Sequence, residues 1–290
     1  MPFRKAVFSL AVLLLASVPL ALGQGTYTQI DYPGASVVTV CNGIDSAGDI
    51  IGSFEYIDNI SHGFLLVGGT YTTIDYPGAR DTYLLGINDL GQIVGYTSTF
   101  TFGFLYDVQA QRFTDIRYPG AMFTKPISIN NAGIVGGAVL LNGKHFQGFE
   151  LIGTEYRRIA PPHGSGPNSH VFGITASGEL LVVVNTLDIG SSYLLNQGEY
   201  RQLMFPGDGY ALGINGTGNA LVGVFDDVVL LQNTGFLYQN HVFRPLSFPS
   251  SVSTFASGVN TSTEVVGWFN DATFALHGFT WTPPADAAKK

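Results

Sequence analysis

Tyr27-Thr28-Gln29-Ile30-Asp31-Tyr32-Pro33 returns nearly intact as Tyr71-Thr72-Thr73-Ile74-Asp75-Tyr76-Pro77, and weaker copies begin at Phe113, Tyr156, Tyr200 and Phe243. The starts lie 44, 42, 43, 44 and 43 residues apart, so the chain holds six copies of one unit. A second motif follows each copy: Gly43-Ile44-Asp45, Gly86-Ile87-Asn88, Ser128-Ile129-Asn130, Gly173-Ile174-Thr175, Gly213-Ile214-Asn215 and Gly258-Val259-Asn260. A third is Gly-Phe, at Gly63-Phe64, Gly103-Phe104, Gly148-Phe149, Gly235-Phe236 and Gly278-Phe279, with Ser192-Tyr193 in the fourth unit.

Between these motifs each unit offers four short runs of β-branched and aromatic residues bounded by Gly, Pro, Asn and Asp. In the first unit they span 37–44, 49–54, 63–67 and 71–76. No stretch carries a capped helical period. Four strands at this period predict an all-β, six-bladed β-propeller over residues 27–282, with four antiparallel strands per blade. A β-solenoid or a pair of sandwiches is the alternative. A small antiparallel sheet has two faces to cover, and stacking sheets around an axis covers both. The chain enters on a fourth-strand motif, 27–32, and leaves on a third-strand motif, 278–281. The N-terminal strand is therefore expected to pair with the last blade and close the ring.

Within the run before each Gly-Ile-Asn, Tyr83, Leu85 and Ile87 share one face, and so do His170, Phe172 and Ile174, and Tyr210, Leu212 and Ile214. The opposite face is small, as in Thr254, Ala256 and Gly258. The bulky face of one sheet is expected to meet the small face of the next, with glycine allowing close approach near the axis. Thr39, Thr82, Thr124, Ser169 and Thr254 put a hydroxyl at one repeat position, where the fifth copy has Gly209. These groups either bond a nearby turn or form a ring at the channel mouth.

The chain has 290 residues, of which 46% are hydrophobic, 13% aromatic and only 12% charged. That is about half the usual ~25% of charged residues and excludes a disordered chain. Residues 1–23 read as a signal peptide: Arg4-Lys5, an apolar run from Ala6 to Leu20, and small residues at Ala21-Leu22-Gly23. Cleavage before Gln24 is expected, an uncleaved anchor being the alternative, and residues 283–290 read as a disordered tail. The protein is thus expected to be secreted or periplasmic, without a membrane span after cleavage. Arg4 and Lys5 are the only charges before Gln24, so removing two of 13 basic residues leaves 11 against 21 acidic ones, a net −10. Such a chain does not attract phosphate backbones, which argues against nucleic acid. Cys41 is the only cysteine, so no intrachain disulfide forms, and its apolar setting predicts a buried small hydrophobe.

The run Gly86-Ile87-Asn88-Asp89-Leu90-Gly91-Gln92-Ile93-Val94-Gly95 resembles the HAF family of probable extracellular repeats, found in exported bacterial proteins. The likeness spans residues 27–282. The family's His-Ala-Phe triplet is His62-Gly63-Phe64 and His277-Gly278-Phe279 in this chain, and the other four copies lack the His. The resemblance implies export and a repeat β-architecture. It assigns no activity.

No Gly-x-Ser-x-Gly elbow, P-loop, dinucleotide fingerprint or His-rich metal spacing occurs. No catalytic residue, metal or cofactor is therefore expected. The candidate site is instead a channel mouth formed by the linkers and the connections between second and third strands. It gathers Arg80, Asp81, Tyr83, Lys125, His163, His170, Tyr210, Asp226, Asp227 and Asp271, with Glu55, Asp58 and Asp188 nearby. Aromatic faces beside carboxylates suit a sugar, and clustered oxygens suit Ca²⁺, although no Asp-x-Asp-x-Asp loop is present. His163 and His170 lie in the least regular linker, 160–170. His62 and His277 are repeat positions and read as structural. The sequons at Asn59, Asn215 and Asn260 read as accidents. The reading that follows is an exported, monomeric, non-catalytic scaffold for an extracellular protein or glycan. The alternative is a propeller hydrolase or lyase of an extracellular polysaccharide, which requires two carboxylates about 5–10 Å apart in the mouth.

Overall fold

The computed structural model describes residues 25–35, 38–184, 190–205, 208–227 and 232–284. The signal-peptide reading of 1–23, Asp188, and most of the 283–290 tail lie outside the described residues. The described chain holds 24 strands and no helix. It opens with β1 (Thr26–Ile30). The first repeat supplies β2 (Val38–Ile44), β3 (Ile50–Glu55), β4 (Ser61–Val67) and β5 (Thr70–Ile74). The second supplies β6 (Tyr83–Ile87), β7 (Gln92–Tyr96), β8 (Gly103–Asp107) and β9 (Arg112–Ile116). The third supplies β10 (Phe123–Ile129), β11 (Val135–Leu140), β12 (Phe146–Ile152) and β13 (Glu155–Ile159). The fourth supplies β14 (Ser169–Ile174), β15 (Leu180–Val184), β16 (Ser191–Asn196) and β17 (Glu199–Leu203). The fifth supplies β18 (Gly209–Ile214), β19 (Ala220–Asp227), β20 (Gln232–Gln239) and β21 (Val242–Leu246). The last has only β22 (Ser253–Val259), β23 (Val265–Asn270) and β24 (Leu276–Thr282).

The sheets form a propeller, with one correction to the six separate sheets expected. Four sheets stand alone with four antiparallel strands each, and the remaining eight strands form one sheet. The cause lies at the seam. β1 pairs antiparallel with β24 only from Gly278 to Thr282, which leaves the Leu276 end of β24 uncovered. The chain then crosses to β2, and Val38 forms a single parallel bridge with Leu276. Elsewhere the same approach is one hydrogen bond, from Thr82 N–H to Ser61 O (2.8 Å) or from Thr124 N–H to Thr101 O (3.0 Å).

β1 takes the register of a fourth strand. Ile30 pairs with Gly278 as Ile74 pairs with Gly63. His277 Nδ1 meets Asp31 at 2.8 Å, as His62 Nδ1 meets Asp75 at 2.8 Å. The two repeat histidines thus fasten a third strand to the Asp that ends a fourth strand.

The Gly-Ile-Asn turns bind neighbouring sheets. Asn130 Oδ1 accepts the N–H groups of Ala132 and Ile134 while its Nδ2 donates to Thr175 O (3.0 Å). Asn88 Nδ2 donates to Asn130 O, Asn215 to Asn260 O and Asn260 to Asp45 O. Asparagine alone supplies both an acceptor for its own turn and a donor for the next sheet. The side chains of Asn215 and Asn260 are therefore buried and engaged, which removes these two sequons as acceptors. Asp45 and Thr175 lack the amide donor. At Thr175 the Ala176 N–H donates to Gly216 O instead (2.8 Å), and at Asp45 the Ser46 N–H donates to Asp89 Oδ1 (2.8 Å).

Asp45 is the weak link. Burial raises its carboxyl above the usual range, backbone N–H bonds only partly offsetting this, so the charged form is disfavoured in the fold. That penalty is absent below the unfolded value near 4, grows as pH rises from there to the raised folded value, and is complete above it. Asp45→Asn keeps the turn acceptor, removes the charge and adds a donor towards Asn88 O. At pH 7 the variant should be more stable by about 1 kcal/mol in urea unfolding. The gain should shrink below about pH 4. A variant no more stable at pH 7 would contradict the account.

The hydroxyl positions take the first of their two expected roles. Thr39, Thr82, Thr124 and Thr254 are buried and accept the backbone N–H of Tyr32, Tyr76, Tyr118 and Phe248 at 2.9–3.1 Å. Each Thr holds the linker that enters its own strand. Cys41 is fully buried, and burial pushes its thiol far up, so the group is inert. Among the described residues no helix is long and apolar enough to cross a membrane.

Candidate functional site

Six inner strands, β2, β6, β10, β14, β18 and β22, line a central channel. Each carries a β-bulge just before its Gly-Ile position, at Asn42, Leu85, Ile127, Phe172, Leu212 and Ser257. All six bulged residues line the channel. The bulky face of the inner strand therefore looks onto the axis, which corrects the expectation that it packs on the next sheet. Adjacent inner strands meet instead through glycine: a Cβ on Gly86 would lie 2.7 Å from Ile127 O, and one on Gly213 2.6 Å from Ser257 O.

Ile44, Ile87, Ile129, Ile174, Ile214 and Val259 form a ring that borders two cavities. Below it lies a cavity of about 220 Å³ lined by the Asn turns, with Asp45 and Asp89 on its wall. Burial pushes the Asp89 carboxyl up, but hydrogen bonds from Asn131 and Ser46 outweigh it and hold the group below the usual range. Above the ring lies a cavity of about 230 Å³ whose wall includes Lys125, Phe172, Trp268, Asn42, Ser128 and Ser257. No carboxylate lines this upper cavity among the described residues.

Tyr83, Lys125, His170 and Tyr210 occupy one register of β6, β10, β14 and β18, opposite Tyr96, Ala138, Val183 and Val224. Val40 and Phe255 fill the place in β2 and β22. All six are partly exposed, and all but Tyr210, which follows the half-buried Gly209, lie between buried neighbours. Tyr83 stacks on Tyr96 (4.8 Å, 15°), and Lys125 Nζ sits 4.8 Å from the Tyr96 ring centre. Phe123 and Phe146 extend the wall to His170, which touches Phe172. Phe255 stacks on Trp268 (5.2 Å, 7°). Burial lowers Lys125, and burial with the Lys125 charge lowers His170 to about 4, so the imidazole is neutral at pH 7. Its Nδ1 is buried and has no hydrogen-bond partner among the described residues.

The other candidates do not converge there. Asp81 is buried and accepts Ser61 N–H and the Ser98 hydroxyl, so it braces β4 against the next repeat. Burial raises its carboxyl, but these bonds and Arg80 prevail and lower it. Arg80 is exposed, with its backbone N–H on Thr99 Oγ1. Asp271 closes its own turn through Thr273 and Ala275 and lies 3.5 Å from His277, at the seam. Asp226 and Asp227 end β19, opposite Asn233 and Gln232, and Asp226 raises Tyr210 slightly after burial does. His163 is exposed in its linker. Among the described residues the upper cavity is lined by Phe172, Trp268 and one cation, Lys125, and by no acid, unlike the acidic mouth expected. Sequence reasoning missed Tyr96 and Trp268, although both follow the Gly that closes the second strand (Gly95, Gly267). The cross-strand register gives that position its meaning.

No family model matches the chain, and no curated protein does. Solved structures share the fold. A streptogramin B lyase aligns at 12% identity and TM-score 0.50, over 89% of this chain and 98% of its own. TolB from Acinetobacter baumannii aligns at 12% and 0.56, over 83% and 65%. A variant of AofleA from Arthrobotrys oligospora aligns at 11% and 0.57, over 88% and 88%. At such identity the likeness establishes a β-propeller and nothing of its chemistry.

Proposed function

We propose that this chain is an exported propeller of the HAF repeat type that binds an extracellular or periplasmic protein or glycan at its aromatic channel mouth, without catalysis. The eight-stranded sheet counts as two blades joined by one bridge, since β2 and β22 hold two of six equivalent places around the channel. The observation that carries the reading is the register of Tyr83, Lys125, His170, Tyr210 and Phe255. Five of six repeats carry a large, partly exposed side chain at this one register of the inner strand, and Lys125 among them lines the upper cavity.

The hydrolase alternative lacks support at that mouth. Glycoside cleavage needs two carboxylates across a cleft, and the described wall of the upper cavity has none. The test is a glycan array probed with the mature protein and with Tyr83→Ala/Tyr210→Ala. Retained glycans that the double variant loses would support the reading. A flat array would remove the glycan half. New chain ends in polysaccharides incubated with the protein would replace binding by catalysis. Sequencing of the exported product should begin at Gln24.

A further inference from the structure

The place held by Lys125 is Val40, Tyr83, His170, Tyr210 or Phe255 in the other inner strands, so the architecture does not require a cation there. Lys125 nevertheless lines the upper cavity, and among the described residues it makes no ion pair or hydrogen bond. Its neighbour is the face of Tyr96, which attracts a cation more weakly than an anion does. An ammonium drawn from water without a counter-charge costs stability, and an anionic ligand offsets that cost. A single lysine with no arginine suits one negative charge rather than a phosphate. The cavity, about 230 Å³, is smaller than the ~300–1,000 Å³ of sites for drug-sized ligands and has room for one ring. Aromatic faces pack on the C–H face of such a ring, and the oxygens of Ser128 and Ser257 can accept its hydroxyls.

We propose that the upper cavity binds a hexuronate, its carboxylate on the Lys125 ammonium and its ring against the aromatic wall. This inference rests on the binding reading above and narrows it to an acidic sugar unit. Trp268 reports on the site, because it lines the cavity whereas Trp281 is buried at the seam.

The experiment titrates the mature chain with D-glucuronate and D-galacturonate, following tryptophan fluorescence. D-glucose, acetate and inorganic phosphate serve as controls. At least one uronate should change the emission and bind about tenfold or more tighter than glucose, acetate or phosphate. Lys125→Met should weaken it at least about tenfold without loss of stability in urea unfolding, and Lys125→Arg should weaken it less. Trp268→Phe should abolish the signal. Equal response to glucose and uronate, equal response to phosphate, or undiminished binding by Lys125→Met would overturn the proposal. Should Lys125→Met not fold, the uronate-to-glucose comparison on the unaltered chain still decides. Array binding without uronate binding sinks this inference alone. A flat array with uronate binding removes only the polymeric-glycan half of the broader reading and leaves this inference standing.

Discussion

Deleting residues 24–33 should lower the melting temperature by roughly 10–20 °C. β1 supplies the missing fourth strand of the last repeat, with five residue pairs to β24. Ile30 is buried beside Gly278, and Tyr27 packs on Phe248 and Phe279 at 5.6 and 5.9 Å. Losing the burial of these two side chains costs about 1.5–3 kcal/mol each, before the uncovering of Trp281 and the loss of the Asp31–His277 contact. About 5 kcal/mol in a domain of this size corresponds to the stated shift. Calorimetry on the mature and deleted chains measures it. A change below about 3 °C would mean that the ring closes by other means. The 24–33 peptide added in trans should restore part of the loss, as added strands do.

Gly95→Ala should cost about 4 kcal/mol or more and leave little folded protein. A Cβ on Gly95 would lie 2.1 Å from Tyr83 O and 2.9 Å from the Phe104 ring. The first contact is backbone, so the inner and second strands must part to admit a methyl group. Gly52, Gly137, Gly223 and Gly267 repeat the arrangement, each under a backbone carbonyl and a Phe of the third strand. The fourth repeat departs from it: Val182 takes the glycine's place and faces Tyr193 rather than Phe. Val182→Ala should therefore cost only about 2 kcal/mol, as an ordinary core truncation. Urea unfolding of both variants tests the contrast, and equal losses would refute it.

The repeats, the strand count and the pairing of β1 with the last repeat were legible in the sequence because they follow from spacing. A motif that recurs every 42–44 residues implies equivalent units, and a chain that starts on a fourth strand and ends on a third implies which edges meet. The dual use of asparagine in Gly-Ile-Asn was less legible. Its turn is local, but its second hydrogen bond crosses to a residue more than 40 positions away.

The candidate site was half legible. Tyr83, His170 and Tyr210 stand at one repeat position and parity alone put them on one face, whereas Lys125 joined them only through the register of β10. Direction was another matter. Whether that face met a neighbouring sheet or the axis depended on how the inner strands approach one another, which the glycine contacts and the bulges decide. The acids misled for a related reason: Asp81 and Asp271 sit on loops at the rim, but their own turns and neighbours consume their oxygens. Local chemistry and periodicity thus determined the units and their order. Only the packed ring decided which side chains share a cavity, because the repeat spacing makes six strands equivalent but does not say which of their faces converges on the axis.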